Sequence, residues 1–342
     1  MWDIVLAIVL LVVGFVFLVK GADWFVDGAA GIAEKLRVPT LIVGLTIVSF
    51  GTSAPELATS IISATQGSSD IAIGNVLGSN ITNILLILGL AAVICPLTVQ
   101  KSALKIDFPV LLGVSVLVLL LGGIDGTLGY VDGWVMFILS LVYMGFLVWY
   151  AIQESKKQTV FEGIDTPHEV TEMTEESAEG GFAGWYEKMK GFTWFLVTIT
   201  FVGLALVVVG ALLGVIPAAK VIASELGVPE NVIGLTVVAV GTSLPELVTC
   251  VVAAKKGETD IAVGDIVGSN IFNVIRTLGL SAAIIPLTFS PSFLIDGFIA
   301  LGAAALLAVL GYMKSHKIKR WGGILMLACF VAYYVYLFAT QL

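Results

Sequence analysis

The chain has 342 residues, of which 58% are hydrophobic and only 12% charged, with a mean hydropathy of +1.05. A soluble domain cannot hide that much apolar surface, so a bilayer is the expected solvent, and neither a soluble enzyme nor a nucleic-acid partner fits. The net charge of −8 says little about partners, because much of it comes from a single segment in the middle of the chain.

Apolar stretches of about 20 residues, the length that crosses roughly 30 Å of hydrocarbon, follow one another along nearly the whole sequence. Ten are read, near residues 3–20, 40–65, 70–97, 103–122, 128–151, 193–214, 229–254, 260–287, 292–312 and 320–340. The first lacks a basic n-region and is long enough to span, so it reads as a membrane helix, not a cleaved signal. Fifteen Lys and Arg fall in loops after odd-numbered segments; only Lys220 falls in a loop after an even one, and Arg276 lies inside a segment. This asymmetry predicts a multi-pass protein of the cell membrane with odd loops cytoplasmic and both termini extracytoplasmic.

Residues 153–190 carry nine acids against four lysines and no apolar period, which predicts a cytoplasmic linker. It divides the chain into residues 1–152, a first membrane repeat with helices 1–5, and residues 191–342, a second with helices 6–10. The three cysteines, Cys95, Cys250 and Cys329, lie in or beside apolar segments and give no disulfide framework or metal spacing.

The two halves share one block. Residues 38–97 and 228–287 align at a constant offset of 190 without a gap, with roughly half of the pairs identical, as an internal duplication requires. Corresponding segments are five spans apart, and an odd number inverts them. The expected fold is an all-α integral membrane protein of ten transmembrane helices, built as two inverted five-helix repeats with broken helices 2, 3, 7 and 8.

The block carries the chemistry. In "VSFGTSAPELATS" (residues 48–60) Pro55 opens a helix, and Glu56 follows it with Ser53 and Thr52 one turn earlier; "GTSLPE" repeats this with Thr242, Ser243, Pro245 and Glu246. A carboxylate at the centre of a membrane helix costs about 2.5–3.5 kcal/mol on insertion scales, so two of them call for a cation. In "GNVLGSNITN" Ser79 and Asn83 stand one turn apart, as do Ser269 and Asn273 in "GDIVGSNIFN", while Gly74, Gly78, Gly264 and Gly268 allow close helix approach. Two carboxylates, two amide oxygens, hydroxyls and freed carbonyls suit Ca²⁺ or Na⁺, and neither His168 nor His316 lies in a span to recruit a softer metal. The sequon at Asn80 is discarded because it lies within a span.

At these motifs, paired in this order, the chain resembles the cation/Ca²⁺ exchanger superfamily, and within it the prokaryotic sodium/calcium antiporters. The resemblance implies a central Ca²⁺ site on Glu56 and Glu246, with oxygens from Thr52, Ser53, Ser79, Thr242, Ser243 and Ser269. It further implies Na⁺ sites around it with backbone carbonyls near Ser49 and Ala239, polar side chains Asn83 and Asn273 at the cavity centre, and alternating access by sliding of helices 1 and 6. In the structurally known archaeal type of this family the second of these polar side chains is an aspartate, so Asn273 departs from it and leaves two formal negatives here. Ca²⁺ and Na⁺ are then transported ions, with no organic cofactor, no enzyme activity, membrane lipid as surroundings and a functional monomer. A Ca²⁺/H⁺ or K⁺-dependent exchanger of the same fold is the alternative, and a cation channel a weaker one.

Two charges break the internal symmetry: Asp265 stands opposite Asn75, and Arg276 opposite Leu86. Eleven residues separate them along helix 8, too far to touch. Asp265 is expected to cap or face water and Arg276 to find an acceptor or snorkel. Asp70 and Asp260 are expected to stabilise the N-termini of helices 3 and 8.

Overall fold

A computed structural model of the chain describes residues 2–162, 189–225 and 239–341. Most of the acidic linker, His168 and the beginning of the seventh apolar segment lie outside the described residues. The helices are α1 (Trp2–Leu36), α2a (Thr40–Thr52) and α2b (Ala54–Thr65), α3 (Ser69–Ile94), α4 (Lys101–Asp125) and α5 (Tyr130–Glu162). Then come α6 (Thr193–Val209, continued to Glu225), α7a (Ala239–Thr242) and α7b (Leu244–Lys256), α8 (Thr259–Ile284), α9 (Pro291–Tyr312) and α10 (Arg320–Gln341). Among the described residues eight helices are long and apolar enough to cross a membrane, nine when the bent pair α2a and α2b counts as one.

Two expectations need correction. Helices 3 and 8 are not broken: α3 and α8 run through, each widened by a π-helical stretch, Thr82–Leu88 and Asn273–Leu278. No proline interrupts either helix, so the chain accommodates its polar residues by widening a turn, a device frequent at functional sites. Helix 1 extends to Leu36, well past the apolar run, because its second half continues along α6. The all-helical fold also carries two short strand pairs in its loops. Short antiparallel pairs join β1 (Leu97–Thr98) to β4 (Lys317–Ile318) and β2 (Thr127–Leu128) to β3 (Leu287–Thr288). The loop after α3 is thereby stitched to the loop after α9, and the loop after α4 to the loop after α8.

Breaks do occur where the Gly and Pro residues predict them. α2a and α2b meet at Ser53 with a bend of 45°. Pro55 sits in the first turn of α2b, where its missing N–H costs nothing. Pro245 does the same at the start of α7b, after a break at Ser243. Each acid therefore lies in the first turn of a half-helix, whose dipole favours a negative charge. Asp70 and Asp260 also occupy first turns, of α3 and α8.

Helix contacts are close where glycine allows it. A Cβ at Gly264 would lie 2.6 Å from the Leu41 carbonyl oxygen and one at Gly268 2.6 Å from Ser49 Oγ, so α8 rests directly on α2a. α1 and α6 meet along a second glycine seam. A Cβ at Gly21 would be 2.7 Å from the Gly203 carbonyl, and one at Gly203 2.5 Å from the Phe25 amide nitrogen. Leu204 of α6 lies against Gly51, and Ile216, further along, against Gly241, so α6 spans from one helix break to the other.

Candidate cation site

Both acids are fully buried in the bundle, and both are held by the opposite copy of the block. Ser53 occupies the N-cap position of α2b, yet its hydroxyl makes no cap bond. It donates instead to Glu246 Oε1 at 3.2 Å, while Ser243, its counterpart, donates to Glu56 Oε1 at 3.2 Å and to Ser79 Oγ at 3.3 Å. Thr52 donates to the Val48 carbonyl (3.1 Å) and to Asp265 Oδ1 (3.0 Å), and Thr242 to Asn75 Oδ1 (3.4 Å). Spacing along one helix suggested that Thr52 and Ser53 serve Glu56; across the interface they serve α7b and α8.

An asparagine quartet links α3 to α8. Asn80 Nδ2 donates to the Asn270 carbonyl and Asn270 Nδ2 to the Asn80 carbonyl, both at 3.1 Å. A carbonyl only accepts, so these two bonds fix both amides, and each presents its Oδ1 to the other side. Asn83 Nδ2 donates to Asn270 Oδ1 (3.0 Å) and Asn273 Nδ2 to Asn80 Oδ1 (3.2 Å). Asn83 and Asn273 thus each commit an amide hydrogen, which sets the orientation of the amide, and their oxygens are left over. Asn80 and Asn270, one of them dismissed as a buried sequon, are the residues that sequence reasoning missed. Their signal was the recurrence of "GSN" in both copies.

What remains is a set of buried oxygens with no hydrogen-bond partner among the described residues: Glu56 Oε2, Glu246 Oε2, Asn83 Oδ1 and Asn273 Oδ1. Unpaired acceptors at such depth are costly unless something positive meets them. Ser49, Ser79 and Ser269 are buried beside them. The Ser49 hydroxyl is spent on the Leu45 carbonyl (2.8 Å), and its own carbonyl accepts the Ser53 amide (3.2 Å) with one lone pair to spare. Ala239 begins the described part of α7a. Carboxylate, amide and hydroxyl oxygens with no sulfur or imidazole make a hard-cation donor set.

The symmetry-breaking charges are not where they were expected. Asp265 is fully buried and neither caps a helix nor meets water. Arg276 does not snorkel: it is 5% exposed, its guanidinium lies 4.2 Å from the Phe50 ring centre, and none of its nitrogens has a hydrogen-bond partner among the described residues. Its charge acts on Glu56 and Glu246. Near the membrane-entering end of α8, half-buried Glu258 has its carboxyl raised by burial, with Asp260 and Asp27 adding to the effect.

Residues 6–149 and 195–339 match the family model for sodium/calcium exchanger proteins. The chain belongs to this family. The exchanger is 36% identical to the putative antiporter CaxA of Alkalimonas amylolytica over 98% of this chain and 99% of that one. It is 34% identical to the sodium/calcium exchanger MaX1 of Methanosarcina acetivorans, over 96% of this chain and 97% of the relative. Its fold matches solved structures of the sodium-calcium exchanger NCX_Mj; one, soaked with Na⁺ and Ca²⁺, has a TM-score of 0.78 at 32% identity, covering 96% and 98% of the two chains. The exchanger is therefore a cation/Ca²⁺ antiporter with a multi-pass helical membrane fold, as the motifs implied.

Proposed function

We propose that the exchanger moves Ca²⁺ out of the cytosol in exchange for external Na⁺. The observation that carries this is the quartet of unpartnered buried oxygens from Glu56, Glu246, Asn83 and Asn273. Two carboxylates neutralise one Ca²⁺, and the amide oxygens, the Ser and Thr hydroxyls and backbone carbonyls near Ser49 and Ala239 bring the count toward the 6–8 oxygens that Ca²⁺ takes. Na⁺ ions take flanking positions on the same oxygens.

The architecture is read as ten helices in two inverted repeats, residues 1–152 and 191–342, joined by the cytoplasmic linker 153–190, with both termini outside the cell and the monomer as the working unit. The two stitches support this sidedness, since each joins loops that follow helices of like parity. Access alternates as α1 and α6 slide together over α2 and α7. Their mutual glycine seam makes them one body, and α6 lies on both helix breaks.

With two net negative charges, the site is neutral with Ca²⁺ and carries one positive charge with three Na⁺, so exchange is electrogenic. One elementary charge across 100 mV is worth about 2.3 kcal/mol. The test is ⁴⁵Ca uptake into vesicles of purified protein under Na⁺, K⁺ and pH gradients in turn. Uptake should follow the outward Na⁺ gradient and quicken when valinomycin and K⁺ collapse the opposing potential. Uptake driven by a pH gradient without Na⁺, and indifferent to valinomycin, would instead establish Ca²⁺/H⁺ exchange.

A further inference from the structure

Asp265 and Asn75 occupy equivalent places in the two copies, and their surroundings differ by one atom that matters. Asn75 Oδ1 accepts from Thr242, and its Nδ2 donates to the Glu56 carbonyl (3.2 Å) and to Ser60 Oγ (3.0 Å). Every polar atom of that side chain is used. Asp265 Oδ1 likewise accepts from Thr52 at 3.0 Å. Its second oxygen, standing where Asn75 has a donor, finds none: Asp265 Oδ2 is buried without a hydrogen-bond partner among the described residues. The counterpart of Ser60 is Cys250, whose thiol points at the Ala262 carbonyl (3.8 Å) and offers nothing to the acid.

For structure alone an asparagine would serve better at 265, as it does at 75. An aspartate there exchanges a satisfied amide for an oxygen that lacks a positive partner. No three His, Cys, Asp or Glu side chains among the described residues converge as a metal group, so Asp265 does not join Glu56 and Glu246 on one central ion. It lies to one side, with the Thr52 hydroxyl on its first oxygen, Ser269 beside it and Glu246 near enough for their charges to interact. Because Glu246 is shared with the Ca²⁺ position, what Asp265 adds to one side of it is a single carboxylate with a few hydroxyl oxygens, less charge and fewer ligands than a second divalent ion takes, and this suits a monovalent hard cation.

We propose that Asp265 is a cation ligand: with Thr52 and Glu246 it forms a monovalent-cation site on the Glu246 side of the cavity, and Arg276 is the fixed counter-charge. Three buried carboxylates and one buried guanidinium leave the unit at two net negatives, so the extra ligand is gained without overcharging the Ca²⁺ site. Arg276 suits this role because its guanidinium faces an aromatic ring and no carboxylate, acting on Glu56 and Glu246 through space without occupying their oxygens. This rests on the cation cavity proposed above and adds a residue to it.

Purified protein in detergent, melted in NaCl, KCl or choline chloride at equal ionic strength, provides the test. The natural protein should be stabilised by Na⁺ beyond choline. Asp265→Asn, which can donate to the Glu246 carbonyl as Asn75 does to that of Glu56, should raise the half-saturating Na⁺ at least tenfold, and in the Asp265→Asn/Arg276→Leu protein, unchanged in net charge, the half-saturating Ca²⁺ should stay within twofold of the natural one. A K⁺ response lost in the same variant would support the site and name K⁺ as its occupant. The proposal is overturned if neither salt stabilises the natural protein beyond choline, if Asp265→Asn titrates like it, or if Na⁺ and Ca²⁺ responses fall together in the double variant of unchanged net charge. Should Asp265→Asn not fold, the Asp265→Asn/Arg276→Leu protein, unchanged in net charge, carries the same comparison. These readouts are of binding, so a failure of Na⁺-driven Ca²⁺ flux in vesicles would count against the transport reading alone.

Discussion

Replacing Asn80 with alanine tests the claim that the asparagine quartet aims oxygens into the cavity. The substitution deletes two hydrogen bonds, the donation to the Asn270 carbonyl (3.1 Å) and the acceptance from Asn273 Nδ2 (3.2 Å). Side-chain bonds within membrane bundles average about 0.6 kcal/mol and reach about 1.7, so the direct loss of stability is about 1–3 kcal/mol. The effect on ion binding has a different origin. Without Asn80 Oδ1 the Asn273 amide is free to turn, and in the empty site its nitrogen donates to a carboxylate. Turning it back costs the strength of a hydrogen bond to a charged group, about 1.5–3 kcal/mol, or roughly 10- to 150-fold in apparent Ca²⁺ affinity. Half-saturating Ca²⁺ for ⁴⁵Ca exchange measures this. Because the route runs through Asn273, Asn80→Ala should cost far less affinity in an Asn273→Ala background. An equal cost in both backgrounds, or natural affinity in the single variant, would refute the reasoning.

Glu56→Gln and Glu246→Gln should each abolish Ca²⁺ exchange while eluting as folded protein in size-exclusion chromatography, since one carboxylate cannot replace the hydration of a divalent ion in a buried site. Gly203→Val should open the seam between α1 and α6, where even a Cβ would lie 2.5 Å from the Phe25 nitrogen; a cost of about 1–3 kcal/mol and a severe loss of flux are expected, read by melting and by ⁴⁵Ca uptake. Lys256 reaches Asp27 at 2.8 Å and Asp23 at 3.1 Å, but these groups are partly exposed, so Lys256→Gln should shift stability by less than about 1 kcal/mol, and less still in high salt. Glu258→Gln should raise the melting temperature at neutral pH. The folded state holds the Glu258 proton more tightly than the unfolded one, so the natural acid is destabilising above the carboxylate range; the gain from Gln should fade as pH drops through that range, and a gain independent of pH would contradict it.

The polar core of the site was legible because chemistry and period coincide there. Pro-Glu in an apolar run, repeated at an offset of 190, marks Glu56 and Glu246, and the one-turn spacing marks Asn83 and Asn273. Partnership was not legible. Spacing reports neighbours on the same helix, so it pairs Ser53 with Glu56, whereas the packed bundle gives Ser53 to Glu246 and Ser243 to Glu56. Asn80 drew attention only as a sequon that its place within a span rules out; its importance lies in an opposite residue 190 positions away. The continuity of α3 and α8 was equally hidden: Gly268 is a surface for close approach as expected, whereas a Cβ at Gly78 would meet nothing within 4 Å, and in both helices the chain yields by a π-helical turn a few residues later. The second half of α1, with three acids and two lysines between Lys20 and Leu36, has no long apolar run and is helical because of what it packs against.

The crosswise pairing also has a meaning for how the molecule is made. Translation delivers the first repeat before the second, and until α7b and α8 arrive, Glu56 has no Ser243 and Asn83 no Asn270. The early helices must therefore wait beside the insertion machinery with a carboxylate and an amide whose final partners are not yet made. Neither repeat can mature first as a finished unit. Severed after residue 152 and expressed as two pieces, the protein should regain its crosswise hydrogen bonds only when both pieces share one membrane during synthesis, each half acting as the folding template of the other.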